Sequence, residues 1–474
     1  MEPRKTKIVA TVSDLRCEEE FIAQLIEAGA NVIRLNTAHQ SPADSLKIIR
    51  NIRKVSDQVG ILLDTKGPEI RTTKAEAPIE LTEGSVVRLK GDPHCLSNVD
   101  CLCVNHAGFA DDVPEGSHIL IDDGNIELVV IEKKADALIC RINNSGTVGS
   151  RKSINVPGVS FKLPALSDKD RDYVKFAVEN DVDFIAHSFV RNKQDVLDVQ
   201  AILDAHRSPI KIIAKIENQQ GVDHIDEILD HAYGIMVARG DLAIEIPYEK
   251  IPGIQKMLIN KAIAHRKPVI VATQMLHSMI EQPRPTRAEV SDIANAIYSK
   301  TDAIMLSGET AFGKYPIEAV RMMSKVAHET EKSRSDYHDV RPAVLTTERS
   351  AYLTKVAVDA SIKLNAAAVI ADSSSGNSIR NMAGYRGRKP IFAHCYDRHV
   401  VRQLSLSFGV FAELIEPRRT SDEFVRKALE SHLIKGTIGP NDMVVVIAGN
   451  FGEQVGASFI EISPVVELIR STDC

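Results

Sequence analysis

The sequence predicts a (β/α)₈ barrel, interrupted by a β-rich lid after its third strand and followed by a smaller α/β domain. Three observations carry that prediction. Short apolar runs alternate with helical stretches eight times between residues 7 and 332, the count of a closed parallel barrel. The alternation breaks once, between residues 72 and 155, into short segments rich in Gly, Asp and Asn. The apolar runs also turn polar at their carboxyl ends, the rim where parallel α/β folds place their chemistry. A doubly wound sheet needs a Gly-rich phosphate fingerprint after an early strand, and none is found.

Taken in order, residues 7–12 (KIVATV) form the first strand, and residues 18–28 have helical periodicity that stops at Gly29. Residues 32–36 (VIRLN), a helix over 42–59 and a strand at 60–65 (GILLDT) continue the pattern. Lid strands are expected at 85–90, 118–121, 126–131 and 138–143, with Asp122-Asp123-Gly124-Asn125 as a tight turn. Gly67-Pro68 and Pro157-Gly158 mark the hinges. The barrel resumes with a helix over 168–180 capped by Ser167, strand 184–190 and a helix to 206. Strands 211–217, 234–241, 268–273 and 303–309 follow, separated by a helix of ten or so residues and helices over 248–266 and 286–300; helix 316–332 closes the unit. Residues 333–349 read as a polar linker. Helix 350–364 and strands at 367–371, 390–394, 409–415 and 442–448 make a mainly parallel sheet. The expected division is therefore 1–71 plus 157–333 for the barrel, 72–156 for the lid and 334–474 for the last domain.

The length of 474 residues fits about three domains. A net charge of −6 argues against a general nucleic-acid binder. The chain has no apolar run that could span a membrane, and its charged start lacks a signal peptide's apolar stretch, so a cytoplasmic protein is expected. Seven scattered cysteines fit reduced thiols rather than a disulfide framework. The group His94, Cys95, Cys101, Cys103 and His106 matches no standard zinc spacing.

The stretch 210–247 holds the most telling rim residues. One strand closes on Lys215-Ile216-Glu217, the other on Arg239-Gly240-Asp241. Residues i and i+2 share a strand face, so Lys215 points with Glu217 and Arg239 with Asp241. Either pair alone is as well explained by a structural ion pair. Together they put two carboxylates on one rim, and like charges roughly 4 Å apart cost about 4 kcal/mol at an effective dielectric near 20. A divalent cation relieves that cost, and oxygen ligands suit Mg²⁺ or Mn²⁺. The other strands add Thr11, Arg34, Asn36, Asp64, Thr65, Thr273, Ser307 and Glu309 to the rim, while the opposite rim reads as turn residues. Such a mixture suits an anionic, oxygen-rich substrate. Phosphoryl transfer fits, because its catalysis is mostly positioning and charge neutralisation, and a lid could exclude water.

At these residues the chain resembles the pyruvate kinase family over nearly its whole length. The motifs are RLNTAH at 34–39, LLDTKGPEIRT at 62–72, KIEN at 215–218, VARGDLAIEIP at 237–247, VATQMLHSMI at 271–280, PTRAEVSDIANAI at 285–297 and IMLSGETAFGKYP at 304–316. The resemblance implies transfer of phosphoryl from phosphoenolpyruvate to ADP, giving ATP and an enolate that is protonated to pyruvate. It places the divalent ion on Glu217 and Asp241, and the substrate carboxylate on the backbone of Ala238, Arg239, Gly240 and Asp241. It implies that Lys215 neutralises the transferring phosphoryl and the enolate, that Arg34 grips the phosphoryl and that Arg71 helps from the hinge. Thr273 lies on the protonation face, with Ser307 and Glu309 linking it to water. His39, Arg71, Lys152 and Asn155 fall on the nucleotide side. Asn36, Asp64 and Thr65 belong to a K⁺ site; Ala38 stands where the family has Ser, whereas Glu69 matches the potassium-dependent members. TVSDLR at 11–16 replaces the usual Gly-Pro, which bears on nucleotide preference. The resemblance also implies a homotetramer without the eukaryotic N-terminal extension.

Two other readings share these residues. A lyase could use the same cation to hold a 2-oxo acid enolate, though it leaves Lys215 and the lid unexplained. A non-catalytic effector-binding protein could retain the fold. In the last domain, Ser373, Ser374, Ser375, Gly376, Asn377 and Ser378 follow a strand and precede a helix, a pattern of either a phosphate pocket or a solvated turn. The family uses this place for a sugar-phosphate activator. The late loop 450–456 (NFGEQVG) lacks a basic residue for a second phosphate, so a monophosphate effector is expected.

Overall fold

The computed structural model describes residues 3–161, 163–334, 349–418, 420–449 and 457–471; the late loop 450–456 and most of the linker lie outside these. Eight parallel strands close a barrel in sequential order: Lys7–Thr11, Val32–Asn36, Gly60–Asp64, Phe184–His187, Lys211–Ile216, Gly234–Ala238, Val269–Ala272 and Ala303–Leu306. The first pairs with both the second and the last, Lys7 opposite Ala303. Strand alternation sorts the core into two layers. Ile8 and Ala10 pack among the helices, whereas Val9 joins Leu62, Phe184, Ile213 and Met236 on the barrel axis. Leu406, from the C-terminal domain, joins that inner layer. Ser41, Ser167 and Thr286 each close a reciprocal capping box at a helix start, worth about 1 kcal/mol apiece.

Three strands end three residues sooner than their apolar pattern implied, the first of them 184–190, which stops at His187. Pairing stops at Ala238 opposite Ala272, and Arg239–Glu245 is a helix. Likewise the last barrel strand stops at Leu306, and Gly308–Ala311 is a helical turn. The single helix expected between the fifth and sixth barrel strands is two, Gln219–Asp223 and Ile225–His231. The opposite rim is also more than turn residues. Asp302 accepts from Arg386 and from the amides of Phe408 and Val269 at 3.0 Å each. Asp183 takes Arg53 at 2.6 Å and the Ile61 amide at 2.8 Å. These carboxylates precede their strands by one residue, so they fell among the turns in the linear reading.

The lid leaves the barrel past Gly67, whose positive φ of 74° and approach to Ser188 exclude a Cβ. Its main sheet has the order Ile154–Asn155, His118–Ile121, Ile126–Lys133, Ala137–Ile142, Val86–Gly91, Cys101–Val104, and Ile79–Leu81 pairs separately with Gly146–Val148. Asp122, Asp123 and Gly124 all take positive φ, the turn that their sequence suggested. Contrary to the reading of uniformly reduced thiols, Cys95 and Cys103 form a disulfide with Cα atoms 5.9 Å apart. The bend before Cys101–Val104 brings the pair together. The C-terminal sheet has the order Val410–Leu414, Ile391–Cys395, Ala368–Ser373, Met443–Gly449, Ala457–Pro464, its last strand an antiparallel edge. Among the described residues no helix is long and apolar enough to cross a membrane.

Candidate active site

The carboxyl rim of the barrel carries a connected, nearly dry polar cluster. Side chains from the second and fifth barrel strands, and Ser188 just past the fourth, converge on Asp64 at the end of the third, which is 1% exposed. Arg34 Nε donates to Asp64 Oδ2 at 2.7 Å, and Lys215 Nζ donates to Oδ1 at 3.0 Å. Lys215 also lies 2.9 Å from Glu217 Oε1, as the shared strand end requires, and donates to Ser188 Oγ at 2.7 Å. Burial works to discharge Lys215, but Asp64 and Glu217 outweigh it and hold the ammonium above its ordinary pKa. Burial likewise opposes the Asp64 charge, yet Arg34 and Lys215 keep its carboxyl below the usual range.

Glu217 and Asp241 face the opposite situation. Burial pushes the Glu217 carboxyl up to about 7; Lys215 opposes this, while Asp241 and Asp64 add to it. Asp241 is raised too, first by burial. Glu217 Oε2 accepts from the Phe189 amide at 2.7 Å. Phe189 has a φ of 55°, a costly conformation for such a side chain that turns its N–H toward the carboxylate. The buried Glu217 and the half-buried Asp241 share one ammonium and remain short of positive charge, so this donor set fits a divalent cation.

Arg239 departs from its expected direction. It does not point with Asp241, because both lie in a helical turn rather than a strand. Its guanidinium swings to Asp292 at 2.6 Å and the Thr273 carbonyl at 2.7 Å. Its backbone still opens the helix, and the Gly240 amide donates to Thr273 Oγ1 at 2.9 Å. Thr273 itself has a φ of 69°, unusual for a β-branched residue. The strain sets its hydroxyl between that amide and the Ala272 carbonyl, 2.7 Å away. Ser307 and Glu309 come together by a different route from a strand pair. Glu309 accepts from the Ser307 amide at 2.8 Å and the Leu276 amide at 3.0 Å, and it is buried. Thr11 receives Arg34 at 3.1 Å.

The expected K⁺ donors sit beside this cluster but are engaged. Asn36 Oδ1 accepts from Ala38 N at 3.1 Å, and the Thr65 carbonyl accepts from Ser188 Oγ at 2.7 Å. The nucleotide-side residues spread from barrel to lid. His39 is exposed. Arg71 binds Glu69 at 2.7 Å and the Arg151 carbonyl at 2.7 Å; Lys152 pairs with Asp122 at 2.9 Å. Between rim and lid lies a cavity of about 260 Å³, lined by Glu69, Asp123, Asn155, Asn218 and Asp241 among others. Lys215 and Thr273 do not line it.

Ser188 and Asp123 were missed in the linear reading. Ser188 follows the fourth barrel strand, whose polar end (His187-Ser188) was the available signal. Asp123 was read only as a turn residue. In the last domain, the loop closes on itself: the Gly376 amide donates to Ser373 Oγ at 2.8 Å and the Asn377 amide to Ser375 Oγ at 3.4 Å. Arg380 NH1 reaches the Ser375 carbonyl at 3.4 Å.

A barrel whose strand ends hold an ammonium, a guanidinium and paired carboxylates beneath an inserted lid suits a phosphotransferase. The comparisons narrow this. Residues 3–320 match the family model "Pyruvate kinase, barrel domain" and residues 352–463 match "Pyruvate kinase, alpha/beta domain". The pyruvate kinase of Borreliella burgdorferi is 48% identical over 98% of this chain and 98% of its own. That of Geobacillus stearothermophilus is 42% identical over 98% of this chain and 81% of its own. A crystal structure of a pyruvate kinase from Cryptosporidium parvum superposes with a TM-score of 0.93 at 37% identity, covering 98% of this chain and 96% of that one. The chain belongs to the pyruvate kinase family. It moves the phosphoryl group of phosphoenolpyruvate to ADP, giving pyruvate and ATP.

Proposed function

We propose that Glu217 and Asp241 hold the divalent cation, Mg²⁺ or Mn²⁺, on which this transfer depends. The observation that carries the reading is the placing of a buried Glu217 and a half-buried Asp241 on one rim with Lys215 as their shared ammonium; burial raises both carboxyls. A bound cation supplies charge neutralisation across the substrate oxygens. The protein's own groups do the rest. Arg34, braced by Asp64 and Thr11, grips the phosphoryl oxygens, and Arg71 closes on them from the hinge. Lys215, charged by its carboxylate neighbours, stabilises charge that develops on the phosphoryl and the enolate oxygen. The amides of Ala238, Arg239, Gly240 and Asp241 at the helix start receive the substrate carboxylate. Thr273 presents its hydroxyl to the enolate carbon, and Ser307 and Glu309 hold the neighbouring turn.

His39, Arg71, Lys152 and Asn155 flank the nucleotide, with the lid shutting out water. Asn36, Asp64 and the Thr65 carbonyl are the oxygen donors for K⁺, with Glu69 as the charge it balances; Ala38 contributes none. The loop Ser373, Ser374, Ser375, Gly376, Asn377 and Ser378 takes a phosphorylated effector, once the Ser373 and Ser375 hydroxyls release their amides. The enzyme works in the cytoplasm as a homotetramer.

The test is a coupled pyruvate-release assay with phosphoenolpyruvate, ADP, Mg²⁺ and K⁺. Glu217→Gln and Asp241→Asn should each lose turnover and require more Mg²⁺, with unfolding unchanged. Wild-type activity of either variant at limiting Mg²⁺ would overturn the metal assignment. Full activity with tetramethylammonium as sole monovalent cation would remove K⁺. Effector binding fails if no sugar or nucleoside monophosphate shifts the phosphoenolpyruvate saturation curve; sedimentation velocity reports the tetramer.

A further inference from the structure

The C-terminal domain holds a second group of metal-ligating side chains, far from the barrel rim in sequence and in a separate core. His394 is the last residue but one of the strand Ile391–Cys395, Glu413 stands opposite it in register on the next strand, and His432 comes from the helix Ser421–Ile434 packed on that face. Both imidazoles are buried, at 1% and 4% exposure. One ligand atom from each of the three residues falls within 4.8 Å of the others.

The detail favours a shared ligand over simple packing. The two Nε2 atoms are 3.3 Å apart, within hydrogen-bond reach of one another, and the ring planes are 78° apart. Two imidazole nitrogens at about 2.0–2.1 Å from a tetrahedral metal stand about 3.3 Å from one another. Thr437 Oγ1 donates to the His432 carbonyl at 3.1 Å and lies 2.9 Å from His432 Nδ1, so it accepts from Nδ1–H and leaves Nε2 for a ligand. A Glu413 oxygen lies 3.1 Å from His394 Nδ1, yet that nitrogen has no aligned hydrogen bond. Glu413 is partly exposed, binds Lys435 and meets His394 on Nδ1, the ring nitrogen away from the Nε2 pair, so it joins an ion there by turning away from both contacts. Phe392 stacks on His432 and Phe424 meets the edge of His394, which walls the pair off from water on the core side.

We propose that His394, His432 and Glu413 form a site for a divalent transition metal in the C-terminal domain, with water as the fourth ligand. Two imidazoles and one carboxylate suit Zn²⁺ and its neighbours rather than Mg²⁺. The site lies at the carboxyl edge of the parallel sheet, the edge that also bears the Ser373–Ser378 turn. Asp372 stands opposite His394 in register, and its carboxylate accepts from the Gly449 amide and the Tyr396 hydroxyl.

The test is titration of the chelator-treated full-length protein with Co²⁺, in saturating Mg²⁺ to occupy the barrel. The expected result is one equivalent of Co²⁺ with the visible absorption of a low-coordinate site, displaced by Zn²⁺. His432→Gln and His394→Gln should abolish the band, and Glu217→Gln should leave it intact, so failure of the barrel assignment would be seen separately. Glu413→Gln should weaken binding on the order of tenfold or more, whereas Lys435→Met should tighten it by releasing the carboxylate. These last two changes lie toward the surface and settle the question if an imidazole variant does not fold. A wild type without the band, or a band unchanged in Glu413→Gln and Lys435→Met, overturns the site.

Discussion

The two ends of the barrel are equally rich in buried charge and use it in opposite ways. At the amino end, Asp302 and Asp183 are buried at the seam with the C-terminal domain; Asp302 is met by a guanidinium and two backbone amides, Asp183 by a guanidinium and one. Burial raises both carboxyls, and their arginines pull them back. Leu406 enters the inner core from the same side. At the carboxyl end, Glu217 and Asp241 are left facing one another with one ammonium to share, and the backbone is strained at Phe189 and Thr273. The difference teaches that buried charge is not itself the mark of a site. The mark is charge left in excess, held by a framework that pays for it elsewhere.

The sharpest way to break this contrast is at Lys215. Lys215→Met should lower kcat by about 10³, with phosphoenolpyruvate KM little changed, because the ammonium acts mainly on the transition state. Steady-state kinetics decide it, and a variant with only a raised KM would contradict that role. Next comes Asp302→Asn at the amino end. It leaves Arg386 buried without its counter-charge and should cost about 3–5 kcal/mol in urea unfolding, while kcat of the folded enzyme stays at the wild-type value. If kcat falls as far as in Lys215→Met, the two ends are not functionally distinct. Thr273→Val should slow enolate protonation by about 10², read as lost proton exchange at the methyl group of pyruvate; unchanged exchange removes Thr273 from that step.

The smallest effect concerns Lys7, which crosses the seam to donate to the Val410 carbonyl and lies 4.3 Å from the Phe411 ring centre. Burial, helped by Arg4, lowers its pKa to about 7. Between about 7 and the ordinary lysine value the unfolded chain binds more protons than the folded one, so stability due to this group rises with pH across that window. Lys7→Met should remove that rise. The measurement is the wild-type minus variant difference in urea midpoint at pH 7.5 and 9.5. An identical difference at both pH values would show that Lys7 does not titrate there.

Much of this was legible in the chain because it follows local rules. Apolar runs of strand length, the helix cap at Ser167 and the Asp122–Gly124 turn each depend on neighbours a few residues away. So does the Lys215–Glu217 pair, since alternation along one strand puts both on one face. The motifs carried the family, and with it the barrel and the reaction. The same rule failed at Arg239 and Asp241 because it holds only while the strand continues, and pairing across the barrel ends at Ala238. Where a strand ends is settled by its partners' lengths, which no single stretch records. Tertiary structure alone joined Ser188 to Lys215, Asp302 to Arg386, and His394 to Glu413 and His432. The physical reason is common to all three. Each depends on side chains brought together by the packing of separate segments, so the spacing along the chain carries no trace of the contact.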